Sequence, residues 1–170
     1  MTRLLAAFSP HRARKCKKQY GDPFGIDVAF GDPMLGHPDT VVAEEVLGFA
    51  RISPTTLRIC PIEMHTAEKL HAYAMPRARP NSRVKDLPDI ALLATPSPLD
   101  AARLRAAIEQ TFTFRKTHAL PASLPRPPPA WETPYAAMAR EDRLAWAAHD
   151  DVAGAVRAFL DPCSRVSVSR

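Results

Sequence analysis

The stretch TTLRICPIEMHTAEKLHAYAMP, residues 55–76, changes its hydrophobic period part-way along. Its first part, TTLRICPI, is β-branched and compact, and Pro61 closes it, which reads as a short strand. From Ile62 the residues are helix formers, with Met64, Ala67, Leu70 and Ala74 recurring at helical spacing. That predicts an amphipathic helix ended at Pro76.

Upstream, YGDPFGIDVAFGDP (20–33) carries a β-branched and aromatic run, FGIDVAF, bracketed by GDP on both sides. It reads as a buried strand with a turn at each end. LGHPDTVVAEEVLGFARI (35–52) is mixed, and a strand is expected through Val46–Ile52. Downstream, PRARPNSR (76–83) is a loop with three arginines, and a helix should start near Asp86, because Pro88 fits only a first turn. In SPLDAARLRAAIEQTFTFR (97–115) the expected N-cap is Ser97 with Pro98 at N1, and Leu99, Leu104 and Ile108 share one side. Residues 119–134 are proline-rich and read as an extended connector. Two helices follow, in PYAAMAREDRLAW and in DDVAGAVRAFL, the second stopped at Pro162. No internal repeat occurs. A few strands followed by helices give an α+β class with a mainly helical C-terminal half.

Proline makes up 18 of the 170 residues, about twice ordinary usage. The net charge of +5 is not spread evenly: residues 1–20 hold six basic residues and no acid, so the rest nets −1. The basic head, PHRARKCKK, reads either as a solvated terminus or as a nucleic-acid contact. The second reading, a general nucleic-acid binder, predicts a steep salt dependence lost on deleting residues 1–19. Three scattered cysteines form no CxxC pair and argue against a disulfide framework. No secretory leader is readable, and no apolar run approaches the ~20 residues of a membrane span. The expected location is the cytoplasm.

Three places could carry chemistry. Asp27 lies between Ile26 and Val28. It is either a carboxylate offering oxygen to Mg²⁺ or a strand-end acceptor of backbone hydrogen bonds. Lys69 is either a solvated helix charge or a point charge for phosphate. In RVKDLPD (83–89), Asp86 and Asp89 are three apart on one helix face. They read as helix-capping acids, Asp86 at the N-cap and Asp89 at N3, or as carboxylates beside a phosphate bound by Arg83 and Lys85. None of the six histidines falls in a recognisable motif, and Trp131 and Trp146 read as packing anchors. Neither GxGxxG nor GxxxxGK[ST] occurs.

The order of these elements says more than any one of them. IDVAFGD, AEKLHAY, NSRVKDLPDIALL, TFTFRKTHALP, a W..PY..MA element and AV.AFLDP succeed one another over roughly residues 20–162. This succession resembles the C-terminal portion of the AbiEii/AbiGii nucleotidyltransferase toxin family. The resemblance implies a small mixed sheet, two Mg²⁺ ions and three carboxylates transferring a nucleotide from an NTP. The implied acceptor is an RNA, notably tRNA, and the implied partner is a cognate antitoxin. Carried onto this chain, Asp27 matches the lone third carboxylate and Lys69 the lysine of an EK motif. Arg83, Lys85, Asp86 and Asp89 match an RxKDxxD motif in which Asp86 organises the lysine and nucleophile.

The family's opening Gly-Gly or Gly-Ser turn and its DxD pair have no counterpart, since the chain contains no GG, GS or DxD. Asp27 alone cannot supply the several oxygen ligands each ion needs. The expectation is a truncated member, binding Mg²⁺ weakly and inactive alone. The alternative is a non-catalytic helical remnant, or a module binding RNA or antitoxin. The expected division is a basic, disordered head (1–19), a partial nucleotidyltransferase β-region (20–61) and a helical region with both motifs (62–118). The connector (119–134), C-terminal helices (135–162) and a tail (163–170) complete it.

Overall fold

A computed structural model describes residues 33–77, 83–95 and 99–164. The chain divides into two units, residues 1–33 and 34–170, and every described strand and helix belongs to the second. Asp27 and the FGIDVAF segment lie outside the described residues.

Strands β1 (Asp39–Val42) and β2 (Thr56–Ile59) form an antiparallel ribbon in which Asp39 faces Ile59 and Val42 faces Thr56. One further bond, Ala43 N–H to the Thr55 carbonyl at 3.0 Å, extends the ladder into the loop. The strand expected through Val46–Ile52 is not there. Those residues form the reversal between the strands, with a 3₁₀ turn at Gly48–Ala50 closed by Arg51 in the left-handed region at φ 56°. The reason is geometric: β2 needs a neighbour, its neighbour is DTVV, and the chain must turn back between the two. Every residue of both strands is exposed.

The helices are α1 (Ile62–Ala74), α2 (Asp86–Leu93), α3 (Ala101–Arg115), α4 (Glu132–Glu141) and α5 (His149–Ser164). α1 packs on α3 and α2, and α5 closes against α2 and α3. Met64, Ala67 and Leu70 of α1 are buried as their spacing predicts, with Ile90, Leu104, Ala107, Val152 and Val156 completing a dry centre. Ala67 and Ala107 are fully buried, and their small side chains let α1 and α3 approach closely. α1 stops at Met75, whose ψ of 121° is the extended value a following proline demands.

Helix ends account for the other departures from expectation. Ser97 and Pro98 lie outside the described residues, and α3 is capped three residues later. Asp100 accepts from the Ala102 and Arg103 amides at 2.8 and 3.1 Å. Leu99 before the cap and Leu104 in the next turn join the same core, the arrangement of a hydrophobic staple. Asp100→Ala is therefore expected to cost about 1 kcal/mol of stability, read as a shift of the urea midpoint. α4 stops at Glu141 because Arg143 turns into the left-handed region at φ 54°. Trp146 thus lies beyond the helix, where its carbonyl accepts the Tyr135 hydroxyl at 2.9 Å. α5 runs past Pro162 to Ser164. A proline in a last turn forfeits one backbone bond, and the turn persists here.

The proline-rich connector is extended and pinned to the helices. Leu124 and Pro127 are buried, and the Pro125 carbonyl accepts the Tyr73 hydroxyl at 2.7 Å. Tyr73 also lies against Trp131, with ring centroids 5.9 Å apart. Burial pushes the Tyr73 phenol up to about 12. Trp131 is an anchor of the core and Trp146 packs at its edge.

Candidate functional site

Where α1 packs on α2, three of the residues singled out in the sequence meet. Lys69 comes from the middle of α1, and Asp86 and Asp89 from the first turns of α2. Lys69 Nζ donates to Asp89 Oδ2 at 2.6 Å and stands 4.0 Å from Asp86 Oδ1. Arg83, in the 3₁₀ turn leading into α2, places a guanidinium nitrogen 3.8 Å from Asp86 Oδ2.

The capping reading of the two aspartates does not hold. The N-cap of α2 is Lys85, in right-handed helical geometry with no side-chain cap bond. The preceding 3₁₀ turn runs straight into the helix, so Asp86 is already inside it. An N-cap carboxylate needs an extended backbone at its own position. Asp86 instead turns its carboxylate toward the cations. Pro88 occupies the first turn as expected.

The two carboxylates differ in solvation. The Asp86 side chain is 7% exposed and that of Asp89 38%. Asp86 Oδ2 is buried without a hydrogen-bond partner. Burial pushes the Asp86 carboxyl above the ordinary 3.8, and Asp89 adds to this; Arg83, Lys69 and Arg77 pull the other way. Arg77 is the member of this group that sequence reasoning placed only as a loop arginine. Its one signal was its position just past the Pro76 that ends α1. Lys85 is exposed and stands outside these ion pairs.

A carboxyl whose pKa folding raises binds its proton more tightly in the native state. The native state therefore loses stability as pH rises from 3.8 through the raised value. Asp86→Asn removes that loss. The variant is expected to be at least as stable as the parent at pH 7, with the difference closing as pH falls toward 3.8. Urea midpoints at several pH values check this; a variant less stable at pH 7 would show that the ion pairs outweigh desolvation.

Three cations around one buried carboxylate make a local field suited to polyphosphate. The described residues do not by themselves suit Mg²⁺. No group of three His, Cys, Asp or Glu side chains among them could hold a metal, and the Lys69 ammonium fills the gap between Asp86 and Asp89. A cleft of about 290 Å³ lies elsewhere, walled by Leu70, Ile108, Leu124 and Leu160 with Arg105 and Arg157 among its lining. It includes none of the four residues above. Lys69 and Arg83 keep 22% and 47% of their side chains exposed, enough to meet a phosphate without a deep cavity, so the charge cluster is the better candidate.

The described histidines, unassigned from sequence, divide by burial. His71 is buried and pairs with the Thr117 hydroxyl at 2.9 Å, which also meets His118 at 3.0 Å. Burial holds His71 below the usual imidazole range, with His118 adding to the effect. The pair packs on Phe112. Arg115 binds Glu68 at 2.8 Å nearby.

Fold and site together define an α+β protein with a cation–carboxylate cluster where α1 packs on α2. A match to the model of the nucleotidyl transferase AbiEii toxin family, of type IV toxin–antitoxin systems, covers residues 6–159. The chain belongs to that family. The match begins well before residue 20, so the basic head, left outside the resemblance over residues 20–162, falls largely inside it. The family is one of nucleotidyl transferases, which generally use a divalent metal, and its type IV systems pair toxin with antitoxin. No curated protein matches the chain. No described helix is long and apolar enough to cross a membrane.

Proposed function

We propose that this chain supplies the phosphate-holding part of a cytoplasmic nucleotidyltransferase that moves a nucleotide from an NTP to an RNA such as tRNA, restrained by a cognate antitoxin. The observation that carries the reading is the convergence of Lys69, Arg83, Asp86 and Asp89 where α1 meets α2. In this reading Lys69 and Arg83 neutralise the triphosphate, Lys85 adds charge from the rim, and Asp86 fixes the lysine. Asp89 supports the lysine from the exposed side. Asp27 is a candidate Mg²⁺ ligand, as the family resemblance implies.

Electrostatic stabilisation of this kind speeds phosphoryl chemistry only when the metal-binding carboxylates are also in place. The sequence has no DxD, so the 170-residue polypeptide is expected not to transfer nucleotide by itself. The test incubates it with each radiolabelled NTP, Mg²⁺ and total tRNA, with and without the product of the reading frame upstream. Label transferred only in the complemented mixture supports the proposal; no transfer in either sinks it.

A second reading is a non-catalytic helical module that binds RNA or antitoxin. What favours it is that most of the buried core lies in the helices while the ribbon is exposed. It predicts antitoxin or tRNA binding unaffected by Lys69→Gln.

A further inference from the structure

Lys69 stands between two carboxylates and is bonded to the less buried one. The contact to Asp89 is 2.6 Å and that to Asp86 4.0 Å. The two acids are not equally able to let go. Asp86 is 7% exposed with one oxygen already lacking a hydrogen-bond partner, and losing Lys69 would leave its buried charge less compensated, by Arg83 at 3.8 Å and by Arg77. Asp89 is 38% exposed and can turn to water at little cost.

We propose that Asp89 is an internal competitor for the phosphate site. In the free protein it holds the Lys69 ammonium; an arriving polyphosphate takes the ammonium from it, while Asp86 stays as the fixed counter-charge that keeps the lysine in place. This rests on the reading of Lys69 as a phosphate-binding residue. Asp89 then sets the affinity of the site by what must be broken before phosphate binds. It also screens the lysine from adventitious monovalent anions, which cannot repay the broken pair as a polyphosphate can.

The probe is inorganic triphosphate, without metal, titrated into the full chain and followed by amide NMR shifts or calorimetry. Asp89→Asn is expected to bind about fivefold more tightly than the parent, the value of a partly exposed ion pair. Removing any negative charge favours an anion, so a charge control is needed. Glu68 is the neighbour of Lys69 on α1 but is bonded to Arg115 at 2.8 Å. Glu68→Gln is expected to change affinity by less than about twofold, as a half-buried charge paired to Arg115 and not to the lysine. Asp89→Glu, which restores the competitor, should return toward the parent.

Equal gains for Asp89→Asn and Glu68→Gln would reduce the effect to net charge and overturn the proposal, as would no gain for Asp89→Asn. If the parent does not bind triphosphate, or Lys69→Gln binds it as well as the parent does, the phosphate-binding reading itself falls.

Discussion

Leu104→Ala is expected to remove about 2–5 kcal/mol of stability, enough to unfold much of a marginally stable chain at 25 °C. Leu104 is fully buried in α3, in the layer that α3 shares with Ala67, Ile90 and Val156. The helices around it are held by backbone packing at alanines, which leaves little freedom to collapse onto the space a truncation opens. Leu57→Ala in β2 is the matched control. Leu57 is 46% exposed, and the same chemical deletion there is expected to cost no more than about 0.5 kcal/mol. Urea denaturation followed by far-ultraviolet circular dichroism compares the two. Equal losses would mean that the ribbon carries as much of the fold as the helices. The same argument predicts stronger amide protection in α1 and α3 than in β1 and β2, because a two-stranded ribbon without a buried face has little stability of its own.

Elements held by local interactions could be read from the sequence, and those held by distant ones could not. α1 was legible because prolines bound it at both ends and its apolar residues keep one period. Pro88 placed the start of α2 by itself, through a restriction that acts within one turn. β1 was not legible: DTVV is four residues long, and what makes it a strand is pairing with Thr56–Ile59 across a loop. A stretch as apolar as VLGFARI, residues 46–52, scores better as a strand on composition, yet it has to reverse the chain. The end of α4 depends on Arg143 adopting a left-handed conformation, which nothing in the residue type announces.

The site was half legible for the same reason. Lys69, Arg83, Asp86 and Asp89 are candidates by motif, but spacing alone also suits the two aspartates to capping. The choice turned on the backbone at Lys85, whose right-handed conformation puts Asp86 inside α2. Lys69 and Asp89 are bonded across 20 positions of sequence, a distance over which periodicity carries no information. The packing of α1 on α2 creates the contact, and Arg77 enters the field because α1 ends where it does. Asp27 lies outside the described residues, so its part in any metal site rests on the sequence resemblance.

Lys69→Gln is expected to lower kcat/KM of the complemented transferase on the order of 100-fold, the usual effect of removing one preorganised charge from a developing phosphate. Glutamine keeps much of the apolar stem and can still donate to Asp89, so the fold should survive; the Lys69 side chain is 22% exposed. The informative companion is Lys69→Arg. If charge alone mattered, arginine would restore activity. The site is built around a compact ammonium 2.6 Å from Asp89 and 4.0 Å from Asp86. A planar guanidinium in that gap can engage a carboxylate with two parallel bonds. It would hold Asp89 more tightly and yield to phosphate less readily, so Lys69→Arg should remain well below the parent, and adding Asp89→Asn should recover part of the loss. Full activity in Lys69→Arg would mean that only net charge counts at this position. Loss below tenfold in Lys69→Gln, against the order expected for a preorganised donor, would mean that phosphate is held elsewhere, on residues other than the α1–α2 cluster.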